Sequence, residues 1–284
     1  MALLLDGDAL AAKLRQQMTE RVAASGIRPV MATVLVGDNP ASESYVARKH
    51  KDCREIGIEA LRIRLPASAS PAQVLAEVAR LNDDPSVDGF FVQFPLPEGH
   101  DEQAIAAAIR PDKDIDGLHP ENLGRLITGK GGIPPCTPMA VLSLLHGYNV
   151  PLAGKHVVII GRGLLVGRPL AMVLSAPGVD ASVTLLHSHT PDIAAFTRNA
   201  DVVIAAAGHP ELIRADMIRA GATVVGVGIT YGDDGAMVSD IAADVSAIAG
   251  AVTPAHGSVG ALTRAMLLQN LINLALEKHS HARN

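Results

Sequence analysis

An α/β fold in two domains is what the sequence predicts, on three observations. Apolar, strand-like runs alternate with helix-like stretches along nearly the whole chain, and such alternation builds sheets flanked by helices. Hydrophobic residues make up 48% of the chain and charged ones 19%, while Tyr, Phe and Trp number only 3, 4 and 0. A core of Ala, Val, Leu and Ile follows, which suits buried parallel strands. The 284 residues correspond to about two domains of ~150 residues each. A net charge of −5 with no basic stripe argues against nucleic acid as a partner. Cys53 and Cys136 form no disulfide framework and fit a reducing cytoplasm. The start, "MALLLDGDAL", has no basic region before its apolar run and is broken by Asp6, unlike a signal peptide. No run approaches the ~18 apolar residues of a membrane span, so the expectation is a soluble, intracellular protein without membrane contact.

The first α/β set begins with a buried strand at 30–37, a helix at 43–57 and a second strand at 59–65. A helix over 70–82 has Ser70 as N-cap, Pro71 at the first helical position and Gln73 completing a capping box. The strand at 88–94 ends in the turn "PLPEGH". Residues 110–136 read as a long loop-rich region, a natural place for functional side chains. A helix at 138–147 leads into a second set, with strands at 156–161, 182–188, 201–207 and 222–228 and a closing helix from about 260 to 278. The two sets join near residues 136–150.

The strand "HVVIIG" runs into Gly161-x-Gly163-x-x-x-Gly167 and then a helix. Glycines there allow a tight turn and let backbone N–H groups approach a pyrophosphate at the helix N-terminus. By itself the pattern is weak, since glycines also serve a turn for its own sake; the flanking strand, helix and further βα units favour a dinucleotide. The next strand ends in "LLHSHT", with Ser188 between His187 and His189, where an NAD site commonly carries an acid for the ribose 2′-hydroxyl. Arg162 lies inside the glycine turn. Arginine and serine without a carboxylate favour NADP over NAD, against the plainer reading of a solvated turn with incidental histidines.

In "SYVARKHK", Tyr45 and Lys49 are four residues apart and share a helix face. A lysine shuttles protons when burial or a cationic neighbour lowers its pKa, although such a charged run is more often simply a wet surface. Tyr-x-x-x-Lys also occurs in short-chain dehydrogenases, but there it follows the nucleotide turn and here it precedes it. Gln93 is a polar side chain at the C-terminal end of an apolar strand, and "DKDIDG" places Asp114 and Asp116 in the long loop. A carboxylate in a cleft pairs with two N–H groups of a guanidine-like heterocycle edge. Two carboxylates and scattered histidines lack ligand spacing, so no metal site is expected.

Taken in order, "SYVARKHKDCREIGI", "VQFPLP", "PDKDIDGLHPENLGRL", "PPCTP", "IIGRGLLVGRPLAMVL" and "GSVGALT" resemble the bifunctional methylenetetrahydrofolate dehydrogenase/cyclohydrolase family across nearly the whole chain. The resemblance implies a homodimeric enzyme with NADP on a Rossmann-like unit and folate in a cleft between the domains. It implies residues 1–140 plus a C-terminal helix, 265–284, as the folate domain and 141–264 as the NADP domain. It places the catalytic lysine at Lys49, with Tyr45 packed on the folate, Gln93 positioning the lysine and Asp116 holding the pterin. The cofactor contacts fall on Gly161, Arg162, Gly163, Ser188 and Ile229, and the loop bearing Gly260 and Thr263 borders the folate.

The implied chemistry is NADP-dependent oxidation of 5,10-methylenetetrahydrofolate and hydrolysis of the methenyl product to 10-formyltetrahydrofolate. Several positions depart from the family pattern. Gly163 stands where serine is frequent, Gly226 where an aspartate is usual, and Thr230 where asparagine is usual. In "HGSVGALT", His256 and Ala261 replace prolines and Ser258 replaces a glycine. These departures touch the nicotinamide side more than the folate side. They keep two alternatives open: another NADP oxidoreductase of a small organic substrate, or a catalytically silent nucleotide- or folate-binding protein.

Overall fold

The computed structural model describes residues 2–231, 237–255 and 258–281. In chain order the first elements are β1 (Leu3–Leu4), α1 (Gly7–Ser25), β2 (Val30–Val36), α2 (Pro40–Ile56), β3 (Glu59–Leu65), α3 (Pro71–Asp83), β4 (Gly89–Val92), α4 (Glu102–Ala108), α5 (Pro120–Thr128) and α6 (Cys136–Gly147). There follow β5 (His156–Ile160), α7 (Gly167–Ser175), β6 (Ser182–Leu186), α8 (Ile193–Thr197), β7 (Val202–Ala205), β8 (Thr223–Gly226), β9 (Ile229–Tyr231), β10 (Met237–Ser239), β11 (Ala251–Val252) and α9 (Val259–His281). They fall into two compact units, residues 13–136 with 264–284 and residues 1–12 with 137–263.

The unit of residues 13–136 and 264–284 holds a three-stranded parallel sheet in the order β3-β2-β4. Val34 and Val36 of β2 and Phe90 and Val92 of β4 pack with Val74, Val78 and Leu81 of α3. Helix α2 starts where the Asn39 side chain accepts from the N–H groups of Ala41 and Ser42, and stops at Gly57, whose φ of 89° is left-handed. The predicted capping box at α3 is formed, with Ser70 Oγ accepting from Gln73 N at 3.3 Å and Gln73 Oε1 accepting from Ser70 N at 2.8 Å.

The other unit is built on a six-stranded sheet in the order β1-β11-β8-β7-β5-β6, with every pair parallel. Val158, Ile160, Val203, Ala205 and Val224 are fully buried in it or nearly so. Strand β5 has β6 on one side and β7 on the other, so the sheet grows outward in both directions from it. Ligands bind beyond the carboxyl ends of strands at such a reversal.

Three expectations are corrected. Residues 1–12 were expected with the first domain, yet they cluster with the six-stranded unit, because β1 pairs with β11 and Leu5 N donates to Val252 O at 2.9 Å. The region 110–136 is not loop throughout: α5 forms within it, with the His119 side chain accepting from Glu121 N and Pro120 at the first position. Helix α9 is long and apolar enough to cross a membrane by length and composition, contrary to the reading of the sequence. Its Leu267, Leu268, Leu271, Ile272 and Ala275 are buried in the protein, as in the core helix of a globular unit.

Candidate functional site

The residues singled out in the sequence gather into two groups, one in each unit. In the unit of residues 13–136 and 264–284, Lys49 sits on α2 with its side chain 5% exposed. Its Nζ lies 3.6 Å from the centroid of the Phe91 ring and 4.9 Å from that of Tyr45. A cation over aromatic faces is attracted by their electron-rich π clouds, but burial still disfavours the charge. The Lys49 pKa is accordingly lowered, with burial as the main cause and the Asp116 carboxylate opposing it. The Tyr45 hydroxyl is pushed up to about 12, first by burial and then by Asp116, so it remains a proton donor.

Strand β4 supplies the floor. Phe91 and Gln93 are two residues apart and point to the same face, and Gln93 N continues the ladder by donating to Val34 O at 2.9 Å. Gln93 Nε2 donates to Phe94 O at 2.5 Å, while its Oε1 is buried with no partner among the described residues. An orphaned buried acceptor is rare in folded proteins and marks a place where a ligand or a moving proton supplies the missing bond.

Asp114 and Asp116, two residues apart, have different surroundings. Asp114 is 3% exposed and accepts from Gly117 N at 3.1 Å, His119 N at 2.8 Å and Asn122 Nδ2 at 3.0 Å. It shapes the loop. Asp116 is half-buried and is the one whose charge reaches Tyr45 and Lys49. The loop is pinned from α9, where Asn270 Nδ2 donates to Ile115 O at 3.0 Å and Pro134 O at 2.9 Å. Gly117, at φ 71°, lies so close to Pro134 that a Cβ would come within 2.4 Å of its carbonyl oxygen. The sequence reading missed Asn270, Phe91 and the Arg264–Asp52 ion pair, in which Nε and Oδ2 are 2.6 Å apart. A polar residue on the buried side of an apolar helix was the available signal for Asn270; the other two needed the fold.

In the other unit, Gly161, Arg162, Gly163, His187 and Ser188 line a cavity of about 420 Å³ with Ala206, Ala207 and His209. Gly161 has φ 114°, and a Cβ there would lie 2.2 Å from Ala206 O. A Cβ on Gly167 would lie 1.8 Å from Gly161 O. Both glycines are therefore required by close backbone approach, in the strand-to-helix turn at which phosphates bind. Among the described residues nothing stands within 4 Å of a Cβ on Gly163, so that position has room for a side chain. Gly161 N donates to Leu186 O at 3.0 Å, joining the glycine turn to the strand end that carries His187 and Ser188. This cradle fits the diphosphate of a dinucleotide, and Arg162 and Ser188 on its wall fit a further phosphate.

The departures have structural counterparts. At Gly226, a Cβ would meet Ser239 Oγ at 2.8 Å, so the Ser239 hydroxyl occupies the room an acidic side chain would need. The Thr230 hydroxyl donates to Gly208 O at 2.9 Å. Asp240, fully buried, accepts from the backbone N–H groups of Ala207, Gly208 and His209 and fixes the wall after β7. Ser258 adopts φ 68°, a conformation natural to glycine. Its Oγ donates to Leu5 O at 2.9 Å and accepts from Gly7 N at 3.3 Å, so the substitution clamps the loop to the N-terminal segment. Thr263 Oγ1 donates to Val259 O at 3.0 Å, and Gly260 lies in the first turn of α9. Ile229 has its backbone in β9, paired with Ser239; its side chain, like all of His256, lies outside the described residues.

Comparison with known proteins gives two family matches. The model described as tetrahydrofolate dehydrogenase/cyclohydrolase, catalytic domain, matches residues 5–116, and that described as the NAD(P)-binding domain of the same family matches residues 135–279. The bifunctional protein FolD of Methanospirillum hungatei is 44% identical over 98% of this chain and 99% of its own. The crystal structure of the bifunctional FolD dehydrogenase/cyclohydrolase of Campylobacter jejuni superposes with a TM-score of 0.93 at 42% identity, covering 97% of this chain and 99% of that one. The dehydrogenase-cyclohydrolase of Trypanosoma brucei, solved with NADP and an inhibitor, gives 0.91 at 37% identity and 98% coverage of both chains.

Proposed function

From the premise that this chain belongs to the tetrahydrofolate dehydrogenase/cyclohydrolase family, we propose that Lys49 is the proton-transfer group of a bifunctional enzyme acting on 5,10-methylenetetrahydrofolate with NADP. The carrying observation is the Lys49 side chain, buried against Phe91 and Tyr45 with its pKa lowered.

The two reactions ask different things of the protein. The bridging carbon of the substrate lies between two nitrogens whose lone pairs stabilise the cation left when hydride departs. Oxidation is thus mainly a matter of alignment. NADP, when bound, accepts the hydride. The chain's part is to hold it, with Gly161 and Gly163 at the diphosphate, Arg162 and Ser188 at the 2′-phosphate and Ile229 on the nicotinamide side. The methenyl product is then opened by water. Lys49 as free amine takes a proton from the attacking water, and the ammonium returns it to the ring nitrogen that leaves as the formyl group forms, the adduct's hydroxyl proton passing to solvent. Tyr45 packs on the folate. Gln93, whose Oε1 has no partner among the described residues, positions Lys49 when that oxygen takes up a bond in the substrate complex, and Asp116 pairs with the pterin N–H edge. Gly260 and Thr263, in the first turns of α9 just after the Ser258 clamp, are the remaining candidates for folate contact.

We assign the folate chemistry to the unit of residues 13–136 and 264–284 and the nucleotide to residues 1–12 and 137–263. The active form is a cytoplasmic homodimer with no nucleic-acid or membrane partner. Two buried free thiols, Cys53 and Cys136, support a reducing compartment, and the outer edge of β3, unpaired within the described sheet, is available to a second copy. The test is an assay of 5,10-methylenetetrahydrofolate with each dinucleotide, following methenyl formation and decay separately. Methenyl should form with NADP and then decay. NADP binding without turnover in either half-reaction would leave only a binding protein, and turnover with NAD alone would overturn the cofactor assignment.

A further inference from the structure

The Asp52–Arg264 ion pair is given no task by the chemistry above. Asp52 stands on α2, one helical turn after Lys49, and Arg264 stands near the start of α9. Arg264 Nε and Asp52 Oδ2 lie 2.6 Å apart, with the two side chains 16% and 9% exposed. Taking two charges out of water is costly, and their mutual attraction does little more than offset it. Apolar side chains of similar volume would hold α2 to α9 as well. What they could not supply is charge.

The pair has a direction. Burial and then the Asp52 carboxylate push the Cys53 thiol up to about 12. The Arg264 charge acts instead on Tyr45 and Lys49, so its guanidinium end is the one turned to the site. Around Lys49 stand Tyr45, His50 and Cys53 of its own helix, Asp116 of the loop before α5, Cys136 of α6 and Arg264 of α9. Burial keeps Tyr45 and both thiols protonated and His50 unprotonated. Of these groups only Asp116 and Arg264 bear charge, and they oppose each other: the carboxylate favours the Lys49 ammonium, and the guanidinium disfavours it. Once Asp116 pairs with the pterin edge, Arg264 is the charge left to act on the lysine.

Resting on the role given above to Lys49, we propose that Arg264, oriented by Asp52, is a positioning residue for hydrolysis: its guanidinium is the fixed positive charge against which the Lys49 ammonium gives up its proton. A cationic neighbour makes an ammonium the stronger acid. The proton then passes more readily to the leaving ring nitrogen, and the free amine is restored for the next water.

Methenyl hydrolysis by the full chain, followed against pH with the uncatalysed opening subtracted, is the test. Asp52→Asn with Arg264→Gln removes both charges and leaves hydrogen-bonding groups facing each other. Its rising limb should move to higher pH by about 0.5 to 1 unit, a loss of about three- to tenfold on the limb, while the thermal midpoint and NADP binding are kept. The apolar pair Asp52→Leu with Arg264→Met, expected to fold at least as stably, should show the same displacement. Arg264→Lys keeps a cation beside Asp52 and should leave the limb in place. A limb unmoved in both double variants, or moved as far by Arg264→Lys, overturns the proposal. Absence of hydrolysis in the unaltered protein, or a rate there that does not change with pH, instead overturns the reading of Lys49 beneath it.

Discussion

Lys49 shows how one residue sets function against stability. Burial lowers its pKa below the 10.5 of an exposed lysine, so the unfolded chain binds more protons than the fold across the interval between the two values. Stability from this group is therefore lost as the pH falls from 10.5 through the lowered value and regained as it rises. Replacing Lys49 by Met removes the desolvated ammonium while keeping its length. The variant should lose methenyl hydrolysis by at least about a hundredfold, bind NADP as before, and melt higher at neutral pH by roughly 2–4 °C for each kcal/mol regained. Unchanged hydrolysis would exclude Lys49 from the chemistry. In the unaltered enzyme, hydrolysis should rise with pH through the lowered lysine pKa, because the free amine is the form that accepts the proton from water. Gly161 is the corresponding residue in the nucleotide unit. With φ 114° and Ala206 O in the way of any Cβ, Gly161→Ala should abolish measurable NADP binding and destabilise that unit by at least about 1–2 kcal/mol. Both residues were legible in the sequence by motif, but that the charged run "RKHK" turns Lys49 inward was not, since periodicity does not say which face a neighbour covers.

Among the elements, α3 is read fully from local chemistry, with Ser70, Pro71 and Gln73 in the roles their types dictate. Helix α9 is the opposite case. Its apolar length was visible, but its functional contribution lies in Asn270, which holds the carbonyls of Ile115 and Pro134 and so the loop that presents Asp116. Asn270→Ala leaves two buried carbonyls without that donor, a loss of about 1–3 kcal/mol. Folate binding should weaken while NADP affinity is unchanged; titration of each ligand against the variant checks this. Helix α5 was hidden because a short segment rich in Gly and Pro reads as loop until tertiary packing supports a helix there. The strand ends at 160–161 and 186–188 were legible, whereas the bond from Gly161 N to Leu186 O that brings them together was not.

At the scale of the molecule, the chain starts in one unit, builds the other, returns, and ends in the second. The first residues illustrate the consequence. β1 completes the edge of the six-stranded sheet, and Leu5 is fully buried there, so deleting residues 1–6 should destabilise the nucleotide unit by about 2–4 kcal/mol through the lost side chain alone. Thermal melting with and without NADP tests this, and an unaltered midpoint would show that the pairing contributes nothing. The sequence by itself determined the α/β class, the parallel strands and the glycine turn, because these follow from local periodicity and from side-chain chemistry at short spacing, while Lys49, Gln93 and Asp116 were singled out through the resemblance of the motifs that carry them. Only the tertiary structure decided that residues 1–12 belong with a sheet formed far along the chain, that Asp114 shapes the loop while Asp116 faces the lysine, and that Ser258 locks its loop to Leu5. The first and last of those outcomes depend on contacts between segments some 250 residues apart, and nothing in the composition or spacing of either segment specifies which distant carbonyl or side chain will be its partner.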